Sequence, residues 1–101
     1  MPDPRKLPSS TSHSPRSVVL SILLASQRGD RALDEVLDQR VKSVSDPRDR
    51  ALIMELVYGV LRRQETLDWR LGAVLTKPLH RLPALVQMLL RIGAYQLLFL
   101  D

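Results

Sequence analysis

From Pro83 to Leu100 the chain reads PALVQMLLRIGAYQLLFL, and only Gln87, Arg91 and Gln96 break its apolar pattern. Projected at 100° per residue, the apolar positions cover almost the whole circumference, which predicts a helix with neighbours on every side. At roughly 1.5–3 kcal/mol for each large apolar side chain taken out of water, no other segment can contribute as much burial. A membrane span is the rival reading and the weaker one. The run is about 17 residues, at the lower limit for a span, and Arg91 at its middle would cost roughly 2.5–3.5 kcal/mol in a bilayer. The segment is therefore expected to be the central helix of a soluble, all-helical domain.

The preceding residues supply its neighbours. Ser14 as N-cap and Pro15 at the first helical position open a helix that runs through RSVVLSILLASQR to Gly29 as its stop. Its polar strip of Ser17, Ser21 and Arg28 is narrow, while Val18, Val19, Leu20, Ile22 and Leu23 fill most of the remaining surface. Arg16 stands in the first turn, where a cation opposes the helix dipole and invites an anion. A shorter helix from near Asp30 places Leu33, Val36, Leu37 and Val41 on one stripe, with Asp34 and Glu35 early and Arg40 and Lys42 late, as the dipole favours.

Asp46 as N-cap, Pro47 at the first position and Asp49 as a short form of the capping box open a third helix, DPRDRALIMELVYGVLRR. Leu52, Ile53, Leu56, Val57, Val60 and Leu61 occupy one half of it, and Arg48, Glu55, Gly59 and Arg62 form the opposite stripe. A glycine inside a helix costs roughly 0.8–1.0 kcal/mol against alanine, so position 59 should require a missing side chain. Its place on the polar stripe beside Arg62 favours a ligand over a close helix crossing. After Arg62, Arg63 and Gln64 the pattern changes phase. ETLDWRLGAVLTK then reads as a helix with Leu67, Leu71, Val74 and Leu75 inward and Trp69 on the other side, packed under a loop rather than serving as a base-stacking platform. Pro78 and Pro83 bracket the connection to the central helix.

Composition narrows the chemistry. The 101 residues suffice for one domain. There is no cysteine, which excludes disulfides, thiolate zinc sites and thiol nucleophiles. His13 and His80 lack the spacing of a metal pair and read as surface residues. No phosphate-cradling glycine loop and no nucleophile beside a base occurs, so the chain alone is not expected to be an enzyme. The net charge is +4, and twelve of the fifteen cationic residues are arginine, the type suited to bidentate contact with phosphates and to stacking on bases. Met1 to Ser14 holds three prolines and four serines with Leu7 as its one large apolar side chain after Met1, and is expected to be a disordered tail, with Arg5 and Lys6 on it. The tail has no apolar run of the signal-peptide kind, which leaves the cytoplasm as the expected location.

The run SDPRDRALIMELVYGVLRRQETLDWRL, followed by RIGAYQLLFLD, resembles the amino-terminal domain of the bacterial ribosomal RNA cytosine-5 methyltransferases of the RsmB type, also called Sun or Fmu. The pieces PRDRAL, ELVYGVLR, LDW and GAYQLLFLD carry the resemblance together, and it covers residues 16 to 101. It implies the all-helical fold of the antitermination factor NusB for residues 15–101, here a bundle of about five helices around a central apolar one, without the closing helices of the family domain. It also implies that the domain binds small-subunit ribosomal RNA and presents it to a following S-adenosylmethionine-dependent domain that is absent from this sequence. By carry-over, Arg16, Arg48, Arg50, Arg62 and Arg63 are the candidate RNA contacts. A free-standing antitermination factor of the NusB type and a protein-only interaction module are the alternatives. A homodimer is expected through the face carrying Leu97, Leu98 and Leu100, which the closing helices would otherwise cover.

Overall fold

The helices that open at Pro15 and Pro47 begin at a side-chain cap followed by proline, whereas those that open at Leu33, Gln64 and Ala84 have no side-chain cap. The structure is a computed structural model that describes residues 14–29 and 32–100. Helix α1 spans Pro15–Arg28; the Ser14 side chain accepts from the amide of Ser17, and Gly29 closes it in the left-handed region at φ 73°. That conformation is open to glycine at little cost, which is why the stop falls there. Helix α2 spans Leu33–Val41 behind Ala32, which provides no side-chain cap. Asp30, where this helix was expected to start, lies outside the described residues, as does the expected tail apart from Ser14.

Helix α3 spans Pro47–Arg62, capped by the Asp46 carboxylate, which accepts from the amide of Arg48 at 2.9 Å. Helix α4, Gln64–Val74, follows after a single residue. The Arg63 amide donates to Gly59 as the last bond of α3, and the Arg63 carbonyl accepts from Leu67 as the first of α4. A short 3-10 turn, Leu79–Arg81, buries Leu79 between the two prolines. Helix α5 spans Ala84–Phe99, and the Gln87 side chain holds its entry by donating from Nε2 to the Leu82 carbonyl at 2.8 Å. The described residues are thus all-helical, and none of the helices is long and apolar enough to cross a membrane.

Helix α1 packs against α2, α3 and α5, and α5 packs against α1, α3 and α4. The side chains most completely enclosed are Val19, Ile22 and Leu23 of α1, Ile53, Leu56, Val57 and Val60 of α3, and Leu67 of α4. The expectation of an apolar helix enclosed on every side is therefore corrected. Helix α5 contributes Met88, Arg91, Ile92 and Tyr95 to the interior, while Leu85, Val86, Leu89, Leu97 and Leu98 remain exposed, Leu97 to 86%. Its neighbours lie on one side only. Leu100, expected to face water with Leu97 and Leu98, is half-buried against the core.

Two inward assignments on α4 are also corrected. Leu67 and Leu71 are buried and Leu75 is half-buried, but Val74, on the last turn, is 77% exposed. Trp69 is 75% exposed rather than packed under a loop. The reason is the neighbouring Asp68. Its carboxylate turns toward α5 and accepts from both Nε and Nη2 of Arg91, at 2.7 and 3.0 Å, so the next residue along the helix is carried round toward solvent. Arg91 is only 6% exposed, and its Nη1 lies 3.7 Å from the Met88 sulfur.

Candidate functional site

The five candidate arginines divide between two ends of the bundle. Arg48 and Arg62 both lie on α3, and at 1.5 Å per residue the fourteen steps between them set them about 21 Å apart along its axis. At the starting end, Nη1 of Arg50 donates to the carbonyls of Val44 and Ser45 at 2.8 and 2.9 Å, clasping the incoming loop. Arg48 is exposed there, 3.9 Å from the Asp46 carboxylate.

The other three converge on the last turns of α5. Nε of Arg16 donates to Oε1 of Gln96 at 2.6 Å, and Nε2 of Gln96 donates to the Ile92 carbonyl at 3.2 Å. On the other flank the Arg63 guanidinium carbon lies 4.1 Å from the centre of the Phe99 ring, a cation–π contact. Phe99 in turn packs against Tyr95 with ring centroids 5.5 Å apart. Arg62 and Arg63 are exposed, and both are near enough to Tyr95 for their positive charge to favour its ionised form. Burial and the hydrogen bond to Glu55 outweigh them and raise the Tyr95 pKa above its usual value.

This geometry corrects the reading of Gly59. On the stripe of Glu55, Gly59 and Arg62, the first two meet Tyr95 of α5 while Arg62 stays exposed, so position 59 is not left open for a ligand. Gly59 is buried, and a Cβ on it would fall on the Tyr95 ring. The Tyr95 hydroxyl donates to the Glu55 carboxylate at 2.8 Å. The close helix crossing is the reason for the glycine.

Beside Arg16 a cleft of about 300 Å³ opens between the start of α1 and α5, with Leu20, Leu89, Ile92 and Gly93 as its apolar lining and Arg16, Ser17 and Gln96 at its polar edge. The apolar pattern along the sequence does not mark this pair of helices as a site. Gln96, an interruption of the apolar run, and Gly93, a helix-interior glycine three residues before it, were the available signal. Among the described residues no group of three His, Asp or Glu side chains is placed to hold a metal ion. His80 is exposed on the 3-10 turn, and His13 lies outside the described residues.

By its described residues the protein belongs to the class of small all-helical domains, with three of the five candidate arginines toward the last turns of α5. Comparison with known proteins places it further. The chain belongs to the NusB family, whose model matches residues 13–101. It is similar to ribosomal RNA small subunit methyltransferase B of Erwinia tasmaniensis, 41% identical over 69 residues that make up 68% of this chain and 16% of that protein. The protein of the same name from Thermus thermophilus is 41% identical over 84 residues, 82% of this chain and 21% of the relative. That from Proteus mirabilis is 32% identical over 89 residues, 88% of this chain and 21% of the relative. The chain thus spans about a fifth or less of the length of these relatives. No solved structure matches it at a significant level.

Proposed function

We propose that this chain is an RNA-binding helical domain that contacts small-subunit ribosomal RNA and presents it to a cytosine-5 methyltransferase domain of the same protein, in the cytoplasm. The observation that carries the reading is the convergence of Arg16, Arg62 and Arg63 on the end of α5, in a NusB-family domain related to methyltransferases named for ribosomal RNA. Arg62 and Arg63 act through phosphate charge, while Arg48 and Arg50, at the far end of α3, contribute less. The residues here do not fit S-adenosylmethionine. The described residues form no strand, hence no strand-to-helix turn for a nucleoside, and the sequence has no cysteine for attack on the base. On this proposal methyl transfer is assigned to a separate S-adenosylmethionine-dependent domain rather than to these residues.

If about three phosphates are engaged, the slope of log K against log salt for structured RNA is expected to be roughly −2 to −3. Replacing Arg62 and Arg63 together with alanine should flatten that slope by roughly one to two while leaving the helical circular-dichroism signal intact. Affinity that is the same at low and high salt would refute the reading.

We also propose that the outer flank of α5, with Val86, Leu97 and Leu98 exposed, pairs with a second copy at high concentration. Leu97, 86% exposed, forgoes most of the roughly 1.5–3 kcal/mol of a fully buried side chain, and the partly covered Val86 and Leu98 forgo less. Sedimentation should show a dimer in the 10–100 µM range, a roughly chosen window for a small apolar interface, and Leu97→Lys with Leu98→Lys should return it to monomer. A clean monomer of the unmodified chain throughout that range would count against pairing.

A further inference from the structure

The cleft between α1 and α5 has features that neither the core nor the arginine charge explains. Helix α5 carries Gly93 seven residues before its C-cap Leu100, well inside the helix, where alanine would be favoured by roughly 0.8–1.0 kcal/mol. Gly59 has an internal reason, the Tyr95 ring, but a Cβ on Gly93 would meet nothing among the described residues within 4 Å. Open space alone is weak evidence, because Gly72 on α4 has it too. What separates Gly93 is its place in a cleft of about 300 Å³ between apolar walls, Leu20 on one helix and Leu89 and Ile92 on the other.

The mouth of the cleft carries an exposed cation, Arg16, held by one side-chain hydrogen bond. Gln96 is anchored to the Ile92 carbonyl and takes Nε of Arg16, which sets the plane of the guanidinium at the edge of the cleft. Its two terminal nitrogens have no acceptor among the described residues. A guanidinium held by Nε presents those nitrogens as the fork that fits phosphate with two parallel bonds. The volume lies at the small end of ligand pockets, which suits one flat ring rather than an extended molecule.

We infer that this cleft receives one unstacked nucleobase of the bound RNA over Gly93, between Leu20 and the pair Leu89 and Ile92, with Arg16 on the adjoining phosphate. The inference rests on the RNA-binding reading and deepens it, since it adds a contact that depends on the base to contacts that depend on charge. Gln96 is a positioning residue for Arg16. An apolar side chain of a protein partner could enter the same walls, but it would gain nothing from a fork of donors at the mouth.

The test uses the 101-residue chain, a ribosomal-type RNA hairpin with an unpaired loop, and the same hairpin with abasic loop positions. The unmodified chain should bind the intact loop roughly tenfold more tightly than the abasic one, in the range of one base contact. Gly93→Leu fills the cleft without touching the core, so it should keep its helical signal and its salt slope while losing the preference for the intact loop. Gln96→Leu should weaken both RNAs through Arg16 while retaining a residual preference for bases. Equal affinity of the unmodified chain for intact and abasic loops would overturn the inference and leave the electrostatic reading standing. Absence of binding to either RNA would overturn both. A folded Gly93→Leu protein that keeps the base preference but loses self-association would assign the cleft to protein contact instead.

Discussion

Replacing Asp68 with alanine is expected to cost the domain about 3 kcal/mol, because breaking a buried ion pair strands its other member. Arg91 is 6% exposed, and Asp68 supplies two of its hydrogen bonds; the third contact is the Met88 sulfur, a weak acceptor. The value is placed at the lower end of the usual range of roughly 3–5 kcal/mol because the Asp68 side chain is itself a third exposed. A domain of this size has roughly 5–10 kcal/mol to lose, so the variant should shift the urea midpoint strongly at unchanged slope. Arg91→Met should be much milder, since it removes the buried charge together with the need to solvate it. A loss below about 1 kcal/mol in the Asp68 variant would mean that water reaches the guanidinium.

Gly59→Ala is expected to destabilise by about 2 kcal/mol, although alanine is the better helix former by roughly 0.8–1.0 kcal/mol. The added methyl would fall on the Tyr95 ring, which is buried and held at its far end by Glu55. The sign should reverse in a Tyr95→Ala background, where the methyl meets space and only the propensity gain remains. Thermal melts of the four proteins in this cycle measure the coupling directly. Tyr95 also gives the fold an alkaline limit. Its pKa is raised in the folded state from 10.0, first by burial and then by Glu55. The stabilisation is therefore complete below that value and is lost as pH rises through the higher folded one.

Local signals in the sequence were sufficient for the starts of α1 and α3. Ser14-Pro15 and Asp46-Pro47 each combine a cap with a residue that cannot continue backwards into a helix, and both helices begin there in the structure. The span of α5 was legible because Pro83 and the apolar run mark it. What escaped the pattern were pairings between distant residues. A helical wheel places Gly59 among Glu55 and Arg62 and makes the face look polar, but it cannot show that a tyrosine from a later helix brings its own hydroxyl to that face. Arg91 looked like an interruption of an apolar helix until Asp68 supplied its partner. Of the arginines, the separation of Arg48 from Arg62 follows from helix rise alone, whereas the approach of Arg16 to Gln96 and of Arg63 to Phe99 depends on α5 packing against both α1 and α3.

The joint at Arg63 limits how this chain can change in length. One residue carries the closing bond of α3 and the opening bond of α4, so no slack exists between the two helices. Inserting or deleting a residue there would turn α4 by about 100° relative to α3. Leu67 would leave the core, Asp68 would swing away from Arg91, and the Arg63 guanidinium would come off Phe99. The segment from Leu75 to Pro83 carries no such double duty and can absorb an extra residue at its exposed Thr76, Lys77 or Pro78. Length variation among working versions of this domain should therefore be barred at the first connection and tolerated at the second, a difference that a library of single-residue insertions would expose at once.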